Sequence, residues 1–582
     1  MKLLRISLAF SLVALLLVAT VRSRAAAPAQ PRRVALVLTN GKIFTADARG
    51  TIAEAVAVEG ERLVAVGTSA EIARAYAGAR TIDLGGRLVT PGFNDAHLHF
   101  INGGLSLMRV ELVGAKTLAE AKARIAAKAR ELPPGAWILG RGWDHTLWGG
   151  EWPTRADLDA VAPDNPVFVQ RVDGHVSWAN TLALTKAGVT RETRAPEGGE
   201  ILRDAGGQPT GILKETAATL VGRVVPEPSR AERMQAAERA LAEARRYGIT
   251  SIHDNSGYEA TELYRELLRA GKLTVRVAEW QNFEDTVEKL NRQRAEFASF
   301  KIDPLQIRLT ALKGYVDGTL GSRTAAMLAP FADDPHNSGI PRRPQAELTK
   351  MIVERDAAGF QIALHAIGDR ANRMALDGFT SAQRSQIGKH GFIITGTPSA
   401  EFLRKLAPRH RIEHSQVVAP SDFARFRNLG VVASMQPSHA ISDKRWAEER
   451  LGEYRVQGAY AWHMMRSFGV RMPFGTDWPV EPINPYLSLY AAVTRQSTEG
   501  DPAGGWWPQE RLSIADAIRC YTAESAYASF EEKQKGQIIP GLLADLAVHS
   551  RDLLTIKPEE ILQTEAVMTI LGGSVVHERE TK

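Results

Sequence analysis

A single cysteine, Cys520, stands in 582 residues. One thiol forms no intrachain disulfide and builds no thiolate zinc site, so any metal here is held by nitrogen and oxygen. Net charge is also scarce. The formal balance is +6, and residues 1–29 hold Lys2, Arg5, Arg22 and Arg24 with no acid, so four of those charges belong to that segment. The remainder is nearly neutral and has no basic patch that would argue for nucleic acid. G-x-S-x-G and G-x-x-x-x-G-K-[ST] do not occur, which removes the usual signatures of serine hydrolases and nucleotide hydrolases. Tandem repeats and low-complexity tracts are missing as well.

What is present is an ordinary globular composition, 44% hydrophobic and 24% charged, in a chain too long for one core. Residues 1–29 read as an export signal: basic "MKLLR", apolar "ISLAFSLVALLLVATV", then small "AAAPAQ". An uncleaved anchor is the alternative reading. The Pro- and Ala-rich stretch that follows favours cleavage, a periplasmic or secreted chain and no stable membrane span afterwards. Residues 34–90 alternate around the turns "TNGK" and "EGER", and 536–582 repeat the style, so both chain ends are expected to build one small β-sandwich.

Residues 91–500 alternate differently. Eight short apolar runs, from "RLVTPGFNDAHLHF" to "GVRMPFGTDWPV", are separated by amphipathic helical stretches such as "RAERMQAAERALAEARRYG". This predicts an α/β fold, a (β/α)₈ TIM barrel, with catalytic groups at the C-terminal ends of its strands. A doubly wound sheet ranks lower, because no Gly-rich dinucleotide loop follows the first strand. Over a hundred residues separate the first two strands, so an insertion, about 101–230, is expected over the barrel mouth. Residues 501–535 read as a helical connection.

Polar groups fall at the strand ends: His97 and His99, Lys313, His365, His414 and Asp477. Alternation along a strand aims His97 and His99 the same way. A lone histidine at such a place is ordinarily a core or surface residue. Ligand-type groups at five strand ends form a metal site.

The stretches "PGFNDAHLHF", "LKGYVDGTLGSRTA", "LHAIGDRA", "RIEHSQ", "MQPSHA" and "FGTDWPV" resemble the amidohydrolase superfamily, in its amidohydrolase 3 branch of YtcJ-like metal-dependent hydrolases. The resemblance covers almost everything after residue 29. It implies the barrel, the composite β-domain and a divalent metal centre, zinc first, with one or two ions per chain. His97 and His99 would bind the more buried ion, and His365 and His414 a second. Lys313 would bridge them as a carboxylated lysine, since an ammonium cannot ligate a cation; its alternative is an ion pair with Asp317 or Asp477. Asp477 would ligate and serve as the base. Asp317, Ser322 and Arg323, then His439, Asp369 and Trp478, then Asp144, Trp143 and His175 are candidate pocket or lid contacts, with loop hydrogen bonding or packing as the plainer alternative.

"HRIEH", His410 to His414, also fits the H-x-x-E-H pattern of a zinc peptidase, which needs a helix; Pro-bounded and β-branched, this segment reads as a strand. The expected activity is hydrolysis of a non-peptide C–N bond, the amide of a small N-acyl or N-formyl compound. Cyclic amides, esters and deaminable rings share the chemistry. A homodimer stays open. The rival from another class is a barrel without catalysis that serves as a binding or scaffold protein.

Overall fold

The computed structural model describes residues 30–172, 174–389 and 408–579. Segment 1–29, and with it the export signal, lies outside them. Seven of the eight apolar runs form one parallel sheet: β1 (Phe93–Leu98), β2 (Ile249–Asp254), β3 (Arg276–Asn282), β4 (Ile307–Tyr315), β5 (Gln361–Ala366), β6 (Arg411–His414) and β7 (Val432–Ser434), adjacent in chain order. Their residues are buried almost throughout, which is why they read as continuous apolar runs rather than alternating ones.

The eighth run is not a regular strand. It still closes the ring: Phe474 bridges Met435 in parallel, Ala96 N donates to Phe474 O (3.0 Å), and Asp477 N donates to His97 O (2.7 Å). Pro473 has no N–H to give a ladder, and Asp477 takes a left-handed φ of 56°. A stave pinned at a few points replaces the expected strand.

Helices cover the ring because their apolar residues recur on one face. In α1 (Arg230–Arg246), Ala236, Ala237, Ala240, Leu241 and Ala244 are buried. It starts at Ser229, whose hydroxyl accepts from Glu232 N (3.2 Å) while the Glu232 carboxylate accepts from Ser229 N (2.8 Å).

Both chain ends meet in a second body. Arg62–Gly67, Ala55–Glu59, Arg32–Thr39 and Tyr76–Asp83 form one sheet. The other runs Ser574–Glu578, Ala566–Leu571, Leu546–His549, Leu88–Pro91, Lys42–Phe44, Ile52–Ala53. Leu38, Val56, Val58, Leu546 and Ile570 fill the layer between them. Arg276 of β3, 2% exposed, ties this body to the barrel by donating to Asp545 (2.7 and 3.0 Å) and Glu61 (3.1 Å). Between β1 and β2 the insertion folds into its own six-stranded sheet, order Gly199–Arg203, Pro209–Glu215, Val176–Ala179, Val167–Arg171, Ile138–Trp143, Val110–Glu111. Trp143, Trp178, Val167 and Val169 lie in its core.

Candidate metal centre

β1 delivers His97 to the mouth of the barrel, and His99, the residue just past its end, caps the following helix on the same side. The His97 ring is fully buried. Its Nδ1 lies 2.6 Å from Oε2 of Glu413, and Arg411 holds that carboxyl down at about 2 against the opposing effect of burial. An ionised carboxylate only accepts, so His97 Nδ1 donates and Nε2 keeps its lone pair. That Nε2 faces Lys313 Nζ at 3.1 Å and Asp477 Oδ1 at 3.4 Å. Nε2 of His99 stands 3.3 Å from the same oxygen.

The other wall comes from β5, β6 and α2 (Pro437–Arg455). His414 ends β6 with a φ of 73°, followed by Ser415 at 43°. This left-handed turn, uncommon for side chains with a Cβ, swings the ring over the mouth. Its Nδ1 donates to Gln436 Oε1 (2.8 Å), which leaves Nε2 free. The His365 and His414 ring centres are 4.5 Å apart, and His365 Nε2 donates to Gly318 O (2.9 Å). His439 Nε2 lies 3.8 Å from Asp477 Oδ2. Two triads therefore hold their ligand atoms within 4.8 Å of one another: His97, His99, Asp477, and His414, His439, Asp477.

Burial sets the protonation. It lowers His97 to about 4 and His365 to about 3, and carries His414 well below the usual range. These imidazoles are neutral at pH 7, the form in which they ligate. Burial also lowers the Lys313 ammonium to about 8, and neither Asp317 nor Asp477 forms an ion pair with it. Asp477 is driven up by burial, yet the surrounding histidines, His97 first, hold it far below its ordinary value. Asp477 Oδ1 and His439 Nε2 are buried with no hydrogen-bond partner among the described residues. Orphaned buried atoms are costly. Their convergence with free imidazole lone pairs fits a divalent cation held by nitrogen and oxygen donors.

A cavity of about 480 Å³ opens on the cluster, lined among others by His99, Lys313, His365, His414, His439 and Asp477. The other candidates fall elsewhere. Asp317 accepts from the amides of Ala326, Ile367 and Gly368 (2.9, 3.0 and 2.8 Å) and so shapes the loops behind His365. Arg323 donates to Asp333 (2.7 Å), and Asp369 accepts from Leu328 N (2.8 Å). Trp478 is buried against Phe100. In the insertion, His175 pairs with Glu215 (3.0 Å), Asp144 with Arg171 (2.8 Å), and Trp143 is core. The insertion reaches the cavity through Arg141 instead.

Sequence reasoning passed over Glu413 and Gln436. Glu413 was visible in "RIEH", where alternation puts it on the face of Arg411, inside the ring. Arg411–His414 is a strand, and His410 turns to Asp356 (3.2 Å), so the two histidines of "HRIEH" share no ion and the zinc-peptidase geometry is not formed.

Over residues 80–577 the chain matches the profile described as "Amidohydrolase family". It is 33% identical to the protein LONG AFTER FAR-RED 3 of Arabidopsis thaliana, over 93% of this chain and 91% of that one. It is 30% identical to the putative amidohydrolase YtcJ of Bacillus subtilis, over 93% and 98%. Identity to the N-substituted formamide deformylase of Arthrobacter pascens is 28%, over 94% and 98%. Among solved structures, an uncharacterized metal-dependent hydrolase from Pyrococcus horikoshii superposes with a TM-score of 0.70 at 30% identity, covering 90% of this chain and 99% of that one.

Proposed function

The chain belongs to the amidohydrolase family, and from that premise we propose that it hydrolyses a non-peptide carbon–nitrogen bond, the amide of a small N-acyl or N-formyl compound. The observation that carries this is the convergence of the His97 and His99 imidazole nitrogens on the buried Oδ1 of Asp477. The N-formyl reading draws on the near full-length likeness to a protein named for deformylating N-substituted formamides.

His97, His99, His365, His414, Lys313 and Asp477 would hold one or two divalent ions, zinc first, with Lys313 carboxylated. His439 stands where it completes the second triad. Such an ion, when bound, supplies Lewis acidity, which lowers the pKa of water toward neutrality and polarises a carbonyl. The chain does the rest. Glu413 and Gln436 fix the tautomers of His97 and His414. Asp477, kept ionised by its histidine neighbours, takes a proton from the attacking water and delivers it to the leaving nitrogen as the C–O bond forms and the C–N bond breaks. Among the described residues no helix is long and apolar enough to cross a membrane. The export signal read in residues 1–29 would place this chemistry in the periplasm or outside the cell.

Formanilide hydrolysis to formate and aniline is the direct assay. Turnover is expected from zinc-loaded protein, lost on chelation and restored by zinc. Asp477→Asn should lower kcat about 10²- to 10⁴-fold. Metal analysis should give near two ions per wild-type chain and one or fewer in Lys313→Ala; one in both would leave a mononuclear hydrolase. No turnover of any N-acyl or N-formyl amide by metal-loaded protein would sink the reading and favour a barrel that only binds.

A further inference from the structure

The cavity over the cluster has an unbalanced wall. Arg141, on strand Ile138–Trp143 of the insertion, and Arg445, on α2, both line it. Both are exposed. Neither makes a side-chain hydrogen bond or a close ion pair with a described residue; Arg445 lies over the Trp446 ring at 4.0 Å and acts on Asp443 only through its field. Many of the chain's other arginines have carboxylate or carbonyl partners: Arg323 with Asp333, Arg409 with Glu532, Arg455 with Ala329 O.

The acids of the same wall are each engaged through one oxygen by neighbouring donors. Asp443 accepts from Tyr460 OH (2.5 Å) and Gln416 Nε2 (2.9 Å), and Glu481 accepts from Ser442 Oγ (2.5 Å). Trp446 adds an indole N–H that is buried and without an acceptor. The wall thus offers two guanidinium forks that no carboxylate of the cavity engages in a hydrogen bond. Planar, delocalised cations of this kind recognise carboxylates in two-point geometry.

We propose that the cavity is built for an anionic amide, one whose carboxylate docks between Arg141 and Arg445 while its amide lies over the ligand cluster. The insertion then selects substrate by charge as well as covering the mouth. This rests on the amidohydrolase reading for its reaction and on the two arginines for its substrate class.

A matched pair separates the two. 4-Formamidobenzoate and formanilide share a skeleton and differ by the carboxylate. On the zinc-loaded full chain, kcat/KM and calorimetric affinity are both measured, so charge preference is read even where neither compound turns over. The anionic compound should be preferred about tenfold or more, chiefly in KM and Kd, as expected for a charge-assisted, two-point contact in a partly enclosed site. Arg141→Met and Arg445→Met should each remove most of that preference, lowering kcat/KM and affinity for the anionic compound far more than for formanilide. Because both side chains are exposed and unpaired, neither variant threatens folding. Equal handling of the two compounds, or losses in the variants that are the same for both, would overturn the proposal while leaving hydrolysis intact. Binding of neither compound would also overturn it. If both bind with the charge preference and neither is hydrolysed, the anion site stands and the formanilide form of the hydrolase reading falls.

Discussion

Gln436 shows how much a ligand depends on a residue that never touches the ion. Its amide oxygen accepts from His414 Nδ1 at 2.8 Å and so decides which nitrogen faces the cavity. Gln436→Met removes the acceptor at similar volume. Zinc affinity, read by chelator competition, should fall about 10- to 100-fold, and Gln436→Glu, which keeps an acceptor, should largely restore it. Equal affinities in all three proteins would reduce Gln436 to packing. At this scale the sequence was legible where geometry is simple. A strand aims residues two apart at one side, so His97 and His99 could be paired on sight. His414 could not be aimed that way, because its direction comes from a left-handed backbone at the strand end. Arg141 was equally hidden: its place depends on how an inserted sheet sits, and nothing local in "LGRGWD" encodes that.

Among elements, the eighth stave is the least regular and carries Asp477. Gly475 in it presses on β1: a Cβ there would lie 2.5 Å from His97 N and 2.9 Å from both His97 O and Asp95 Oδ1. Two of these are backbone atoms, which cannot rotate away. Gly475→Ala should therefore force the stave off β1, costing about 1–3 kcal/mol in urea unfolding and weakening zinc binding along with it. Lost stability with unchanged affinity would show that closure and ligand placement are separable. The alternation of apolar runs and amphipathic stretches made seven strands readable. The eighth was placed correctly but typed wrongly, because Pro473 denies the ladder a donor and the segment is held by neighbours distant in sequence.

For the whole molecule, acid sensitivity has a source far from the cluster. His549, on strand Leu546–His549, is buried where the β-domain meets the barrel, between Thr90 Oγ1 and Tyr486 OH at 2.9 Å each. Burial lowers it from 6.5 to about 3. Between those values the unfolded chain binds a proton that the folded chain refuses. The contribution is whole above pH 6.5 and is lost as pH falls, at up to about 1.4 kcal/mol per unit. Urea midpoints of the wild type and His549→Gln should therefore converge as pH is lowered from 7.5 to 4.5. Parallel curves would mean that His549 titrates alike in both states.

The composite β-domain also sets an order in time. Leu88–Pro91 leads straight into β1, and its antiparallel neighbour, Leu546–His549, lies near the other end of the chain. During synthesis the strand that leads to His97 and His99 emerges long before the strand that anchors its base. β1 can pair with β2 sooner, but the run that leads into it waits for Leu546–His549. A chain cut short before Leu546 would lack the strand that fixes the base of β1, and with it the full frame of the candidate centre.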